Sequence, residues 1–327
     1  MSKHFTFTAL RAATLTLCLA SATVHAGTID VLPGSGDAIV AMLKGHSDTF
    51  ANAYLKMIKK EGLSPTGRSL NKLRGAMHTS VIARMEYTYE KNGTTHTRTY
   101  YGRSGPAMRV IYDRSTFPGS STGSAPGSST GETSGSDSGS RPYEITPDDL
   151  ARDAEEQIYY PSDPSSVRAP NLPPEGSAVE ATEVRTADGR LVSHAADGEL
   201  KIFRKIEADI LKGDVTKGGK LLGYASKALC DSCERASAAL ADEFDIDGQI
   251  FQLVEPVNGV TSTDVLLAES NTSSLKLKSM RKAFADTHFG STGVSAPIEE
   301  YGLGVDRIAA IESEESGEAL VGAACGE

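Results

Sequence analysis

Hydrophobic residues in the first third of the chain follow two different spacings, which predict a helix and then a β-hairpin. Apolar side chains recur every three or four residues on one face of 39–58, namely Ile39, Met42, Leu43, Phe50, Tyr54, Met57 and Ile58. Residues 81–90 (VIARMEYTYE) alternate instead, and residues 94–101 (TTHTRTYY) are rich in Thr and Tyr, which favour strands. Asn92-Gly93 lies between them and supplies the positive φ of a tight turn, so we expect a hairpin.

The second half of the chain alternates between strand and helix patterns. In chain order it predicts strands at 179–186 and 191–193, a helix at 197–212, a strand at 220–225, a helix at 229–244, a strand at 249–254 and a helix at 275–287. Asp188-Gly189 marks the turn between the first two strands. This β-β-α-β-α-β order predicts an α/β fold in which helices pack on one sheet. Residues 143–180 are rich in proline, and we expect them to be irregular.

The first 26 residues have the features of an export signal. Lys3 and Arg11 give a basic start, residues 12–22 (AATLTLCLASA) form an apolar run, and Val24-His25-Ala26 carries the small residues that a signal peptidase reads. The apolar run is too short for a membrane span, which needs about 20 residues. We therefore predict a signal peptide at 1–26, export to the periplasm or the medium, and a soluble mature protein.

Residues 115–142 have a composition that cannot bury a core, because 20 of these 28 residues are Gly, Ser or Thr. We predict a flexible linker here. It separates a smaller N-terminal α+β region at 27–114, whose role the sequence does not indicate, from a C-terminal domain at 143–296. Residues 297–327 form an acidic C-terminal tail. The alternative is that the linker is a long surface insertion within one domain.

The charge balance excludes one class of function. The chain has 43 acidic and 33 basic residues and a formal charge of −10, so bulk positive charge cannot hold a nucleic acid. A local basic rim is the remaining route, and the C-terminal domain offers nine residues for it: Lys201, Arg204, Lys205, Lys217, Lys220, Lys276, Lys278, Arg281 and Lys282. Solvated helix faces explain the same pattern at least as well.

Two cysteines stand at the predicted start of a helix. Cys230 and Cys233 are separated by one helical turn, which brings the two sulfurs side by side as a zinc ion or a disulfide requires. A helix N-terminus also lowers the pKa of a thiol. The pair alone indicates a zinc site, a redox disulfide or a structural contact. Export to an oxidising compartment keeps the redox interpretation open.

Asp197-Gly198-Glu199 opens the preceding predicted helix, again directly after a strand. A ligand-x-Glu motif followed about 30 residues later by CxxC resembles the cytidine-deaminase-like superfamily, and within it the exported toxin-type nucleic-acid deaminases of bacteria. The resemblance covers residues 179–254, about a quarter of the chain. It implies a three-layer α/β/α deaminase-like domain. It also implies a toxin or effector that hydrolyses the exocyclic amine of a nucleobase, with cytosine favoured.

The resemblance implies a role for each matching residue. Cys230 and Cys233 would bind zinc as thiolates, and Asp197 would be the third ligand. Glu199 would carry protons without binding the metal. The implied partners are a nucleic-acid or nucleoside substrate and an inhibitor (immunity) protein.

Two positions depart from the superfamily motif. Leu229 stands where Pro is usual, and Asp197 stands where His is usual. His194, three residues earlier, is therefore an alternative to Asp197 as the third ligand. A carboxylate ligand would make the site more negative than an imidazole would, and a bound water would be less acidic.

Each candidate residue also has an ordinary structural role. Asp197 is a good helix N-cap, and Glu199 in a first turn complements the helix dipole. Two other functions stay open. One is an exported thiol–disulfide protein that uses the two cysteines, and the other is a secreted binding module without catalysis.

Overall fold

The computed structural model describes residues 27–116, 145–185, 191–290 and 293–294 of the chain. The described helices are α1 (Asp37–Glu61), α2 (Gly67–Thr79), α3 (Met108–Thr116), α4 (Pro147–Glu156), α5 (Gly198–Lys212), α6 (Asp231–Phe244) and α7 (Val265–His288). The described strands are β1 (Ile29–Pro33), β2 (Ile82–Lys91), β3 (Thr94–Arg103), β4 (Ser166–Arg168), β5 (Glu183–Arg185), β6 (Leu191–Ser193), β7 (Lys220–Ala225), β8 (Asp247–Gln252), β9 (Phe289–Gly290) and β10 (Gly293–Val294).

Several predicted segments lie outside the described residues. They are the signal peptide at 1–26, the linker at 115–142 beyond its first two residues, the turn at Asp188-Gly189 and the acidic tail at 297–327. Residues 115 and 116 belong to the end of α3. Among the described helices, none combines the length and the apolar character that crossing a membrane would need.

The local patterns are confirmed over most of the described chain. The alternating residues form the hairpin β2–β3, and its turn residues Asn92 and Gly93 have φ of 54° and 73°. The helical pattern at 39–58 lies within α1, and its apolar face is buried. α5, β7, α6 and β8 then follow one another in the predicted order.

Three ranges differ from the expectations. The strand predicted at 179–186 is found, within the described residues, at Glu183–Arg185, and it pairs with β6 in a two-stranded sheet apart from the main one. Residues 143–180, expected to be irregular, contain α4, a short 3-10 turn and β4. Thr146 and Asp149 cap α4 reciprocally and Pro147 sits in its first turn, where proline is tolerated, so these local signals outweigh the proline content. α7 begins at Val265, well before the predicted start at 275. Its first half buries serine and asparagine side chains, which hide the hydrophobic period.

Six strands form the main sheet in the order β1-β8-β7-β2-β3-β4. β1, β2 and β3 come from 27–114, whereas β4, β7 and β8 come from 143–296. The two ranges thus share one sheet. In chain order the Gly/Ser/Thr-rich segment comes between β3 and β4, as in the insertion alternative. The two ranges are not separate in the main sheet, because the hydrophobic pattern of a strand does not indicate which other strand it will pair with. Here β2 fills its second hydrogen-bonding edge with the distant β7.

Helices cover both faces of this mixed sheet, which agrees with the predicted α/β class. Consecutive strand residues alternate between two hydrophobic clusters, as the pleat requires. Ile82 and Tyr101 pack with α1, α2, α3 and α7, whereas Ala83 and Tyr100 pack with α5 and α6.

Five of the six strands end on the same side of the sheet. β1, β8 and β7 are parallel, β3 and β4 are parallel, and β2 alone runs antiparallel to its neighbours β3 and β7. In open α/β sheets, ligand-binding residues gather outside the carboxyl ends of the strands. α6 follows the carboxyl end of β7, and α5 begins beside the carboxyl end of β3, so two helix N-termini meet on this side.

Candidate metal centre

Backbone hydrogen bonds fix the residues that precede α5 and α6. Before α5, the N–H of Asp197 donates to the carbonyl of His194 at 3.1 Å, which closes a turn. Before α6, the N–H of Leu229 donates to the side-chain oxygen of Gln252, at the end of β8, at 2.6 Å. The two anchored turns bring Asp197 opposite Cys230.

Oδ2 of Asp197 is the atom at which the site converges. It lies 2.7 Å from Nδ1 of His194, 3.4 Å from Sγ of Cys230 and 3.5 Å from Sγ of Cys233. Nδ1 of His194 is also 3.3 Å from Sγ of Cys230. Among the described residues, donor atoms of His194, Asp197 and Cys230 lie within 4.8 Å of one another, which is close enough to share a metal ion. Both candidates for the third ligand therefore lie beside Cys230, and Asp197 also contacts Cys233.

Asp197 occupies the N-cap position of α5, but its side chain makes no capping hydrogen bond. An N-cap side chain ordinarily accepts from a backbone N–H of the first turn, which stabilises the protein by about 1 kcal/mol. At α6 the N-cap residue is Cys230, and its sulfur accepts from the N–H of Cys233 at 3.4 Å. The ordinary role predicted for Asp197 is thus not the role that its carboxylate has.

Hydrogen bonds within the cluster shift the pKa values of three side chains. The hydrogen bond to Asp197, and then that to Cys230, raises the pKa of His194 to about 10. The Cys233 thiol donates a hydrogen bond to the sulfur of Cys230, which lowers the pKa of Cys230 and raises that of Cys233. The cluster therefore favours the protonated form of His194 and the thiolate form of Cys230.

Glu199 is buried beside this cluster, with 3% of its surface exposed. Burial, and then the carboxylate of Asp197, raises the pKa of Glu199 to about 8. The charges of Cys230 and His194 also act on this carboxyl group. A carboxyl group that titrates near neutral pH is suited both to accept and to release a proton.

The first turn of α5 docks on the end of β3 through a close backbone approach. A Cβ on Gly102 would lie 2.4 Å from the carbonyl oxygen of Gly198, so a side chain at Gly102 would push the helix away. The N–H of Gly105 donates to the carbonyl of Ala196 at 2.8 Å. These contacts set the position of Asp197 relative to the sheet.

Lys201 strengthens the same docking, although the sequence pattern placed it on a basic rim. Its ammonium group donates to the carbonyls of Arg103 at 2.8 Å and Gly105 at 2.6 Å. The residue is buried, and burial lowers its pKa to about 7. Lys201 follows Asp197 by one helical turn, so the sequence indicates that both lie on the same side of α5. The sequence does not indicate that this side of α5 packs on the sheet.

The predicted basic rim is wrong for three of its nine residues, because Lys201, Arg204 and Arg281 are buried. Their donors go to protein acceptors, as when Arg204 donates to the carbonyl of Val179 at 3.0 Å. Four others form ion pairs with carboxylates, namely Lys205, Lys276, Lys278 and Lys282. The surface therefore offers less positive charge to a polyanion than the pattern predicted.

The donor set is what argues for a metal. Imidazole, carboxylate and thiolate groups are common metal ligands in proteins, and ligand atoms of His194, Asp197 and Cys230 converge here. The side chain of Asp197 makes no capping hydrogen bond to its own helix. Comparison of the chain with protein-family models, curated proteins and solved structures found no match. The candidate centre therefore rests on its own geometry and chemistry.

Proposed function

We propose that the chain is an exported zinc-dependent deaminase of a nucleobase, acting as a toxin or effector on a three-layer α/β/α scaffold. One observation carries this proposal: Oδ2 of Asp197 lies 3.4 and 3.5 Å from the two cysteine sulfurs, while α5 is left without its side-chain cap. The strand-then-helix context of both motifs supports it as well.

Cys230, Cys233 and Asp197 would hold the zinc, since three protein ligands leave a fourth position for water. Zinc, when bound, supplies the Lewis acidity that makes water a nucleophile near neutral pH. Glu199 would accept one proton of that water and pass it to the ring nitrogen of the base. It would then transfer the second proton, from the new hydroxyl group, to the amine, which would leave as ammonia. Its raised pKa suits a group that both takes and gives a proton.

The proposed substrate is a nucleobase in a nucleoside or a single strand, with cytosine favoured. Three cations of the predicted rim are buried and four are paired with carboxylates, which argues for recognition mainly through the base and less through phosphates. Release of ammonia, and of uracil-containing product, from single-stranded DNA, RNA, cytidine and adenosine measures this directly. Activity on none of these substrates by zinc-loaded protein would refute the proposed reaction.

Metal analysis of the purified full chain tests the site. We expect about one zinc per chain, and less than about 0.2 zinc together with a Cys230–Cys233 disulfide would count against the proposal. Glu199→Ala should keep the zinc and abolish deamination. Cys230→Ala should lose both.

A thiol–disulfide protein is the second candidate, favoured by the contact between the two cysteines and the lowered pKa of Cys230. In that case Cys230→Ala abolishes thiol exchange, whereas Glu199→Ala leaves it nearly unchanged. A secreted binding module would be insensitive to both substitutions.

A further inference from the structure

We infer that His194 is a positioning residue of the metal centre: it holds the Asp197 carboxylate towards the two cysteines and is not itself a ligand. This role rests on the proposed zinc site. It adds to that site the residue that orients the oxygen ligand.

The turn before α5 sets the contact between the two side chains. The N–H of Asp197 donates to the carbonyl of His194 at 3.1 Å, which closes a four-residue turn. The turn leaves both side chains on one side, with Nδ1 of His194 2.7 Å from Oδ2 of Asp197. The pairing is therefore built into the local backbone.

The distance between His194 and Asp197 argues that only one of the two binds the ion. Two atoms bound to one tetrahedral zinc lie about 3.6 Å apart for sulfur and oxygen and about 3.4 Å apart for nitrogen and oxygen. Nδ1 of His194 lies 2.7 Å from Oδ2 of Asp197, which is shorter than this spacing and is a hydrogen-bond length. The sulfurs of Cys230 and Cys233 donate to the same oxygen in S–H···O contacts of 3.4 and 3.5 Å, which are close to the spacing of two zinc ligands. In addition, Oδ2 contacts both sulfurs, whereas the described sulfur contact of Nδ1 is to Cys230.

The hydrogen bond from His194 competes with helix capping. An aspartate at an N-cap tends to turn towards the first N–H groups of its helix, yet Asp197 makes no such bond. The imidazole N–H gives its carboxylate a different partner on the side of the cysteines. Outer hydrogen bonds of this kind typically strengthen metal binding by about 10–100-fold.

Zinc affinity of the full-length protein tests this role, measured by competition with a chelating dye. His194→Ala should weaken zinc binding by about 10–100-fold. His194→Asn should restore most of the affinity, because its amide N–H can donate from near the position of Nδ1. Cobalt(II) bound to either variant should keep the wild-type visible spectrum, since the three ligands are unchanged.

Two results would overturn the inference. Equal and large losses in His194→Ala and His194→Asn, with a changed cobalt spectrum, would make His194 a ligand. Wild-type affinity in His194→Ala would leave it without a role. His96→Ala, on the exposed part of β3, is the matched control and should bind zinc normally. A wild-type protein that binds no zinc refutes the proposed function itself, which distinguishes that failure from a failure of the His194 role.

Discussion

Asp264 and Asp197 occupy the same position in two helices but bind different partners. Asp264, the N-cap residue of α7, accepts from the N–H of Leu267 at 3.0 Å. Asp197, the N-cap residue of α5, makes no such bond and turns Oδ2 towards two cysteines. Their backbone angles are similar, with φ and ψ of −70° and 130° for Asp264 and of −66° and 144° for Asp197. The backbone therefore does not explain the difference.

The difference lies in what the fold places beside each carboxylate. The described hydrogen bond of the Asp264 carboxylate goes to the start of its own helix, whereas Asp197 contacts a histidine from its own turn and two cysteines at the start of α6. Local rules that a sequence obeys elsewhere are typically broken at functional sites. An aspartate at an N-cap position that makes no capping hydrogen bond thus indicates a functional site. The sequence identifies the aspartate, and the structure shows that the hydrogen bond is missing.

The largest expected difference between substitutions of the two aspartates is in the zinc affinity of the protein. Asp197→Ala removes a proposed ligand. It should therefore weaken zinc binding more than the loss of a residue that only hydrogen-bonds to a ligand, which typically weakens it by about 10–100-fold. Asp264→Ala should leave zinc affinity unchanged. Isothermal titration of both variants measures the contrast, and equal affinities would remove the functional meaning of the uncapped helix.

Two buried glutamates of α5 extend the comparison to stability. Glu207 accepts hydrogen bonds from Ser177 and from the N–H of Ala178, the latter at 2.7 Å, so Glu207→Gln should lower the free energy of unfolding by about 1.5–3 kcal/mol.

The pKa of Glu199, the other buried glutamate of α5, is raised to about 8. The folded state therefore binds more protons than the unfolded state from its ordinary pKa up to 8, and stability falls as pH rises through this window.

Glu199→Gln removes that loss because glutamine does not titrate. In metal-free protein, the free energy of unfolding of the variant should exceed that of the wild type by an amount that grows with pH. The growth is at most about 1.4 kcal/mol per pH unit and stops near pH 8. Urea denaturation at pH 5, 6, 7 and 8 measures the difference. A difference that does not change with pH would show that the pKa of Glu199 is not raised in the folded protein.

Lys201 tests whether the docking of the Asp197 turn matters. Lys201→Met leaves two carbonyl groups without their donor and should lower the free energy of unfolding by about 2 kcal/mol, with weaker zinc binding as a second effect. Lys212→Met, on the exposed end of the same helix, should change stability by less than about 0.5 kcal/mol. If the two variants behave alike in both measurements, the docking does not support the site.

The smallest expected effect concerns the caps themselves. Asp264→Ala should lower the free energy of unfolding of metal-free protein by about 1 kcal/mol, because α7 loses its cap. Thermal melts of the wild type and the variant measure this loss. A variant as stable as the wild type would contradict the capping role of Asp264.

Sequence patterns located the hairpin around Asn92-Gly93 and the helices and strands on either side of Cys230, because these depend on neighbours along the chain. The same patterns placed Lys201 on a surface and divided one sheet between two regions. Burial and strand pairing depend on residues far away in the chain, which no local spacing records.

The residue types and their order determined by themselves that Asp197, Glu199, Cys230 and Cys233 stand at the starts of two helices, since caps, glycines and periodicity act over a few residues. Only the tertiary structure decided that these starts face each other outside the carboxyl ends of the strands, and that Asp197 turns from its helix to the sulfurs. The physical reason is that a side chain chooses among the partners within its reach, and long-range packing supplies those partners.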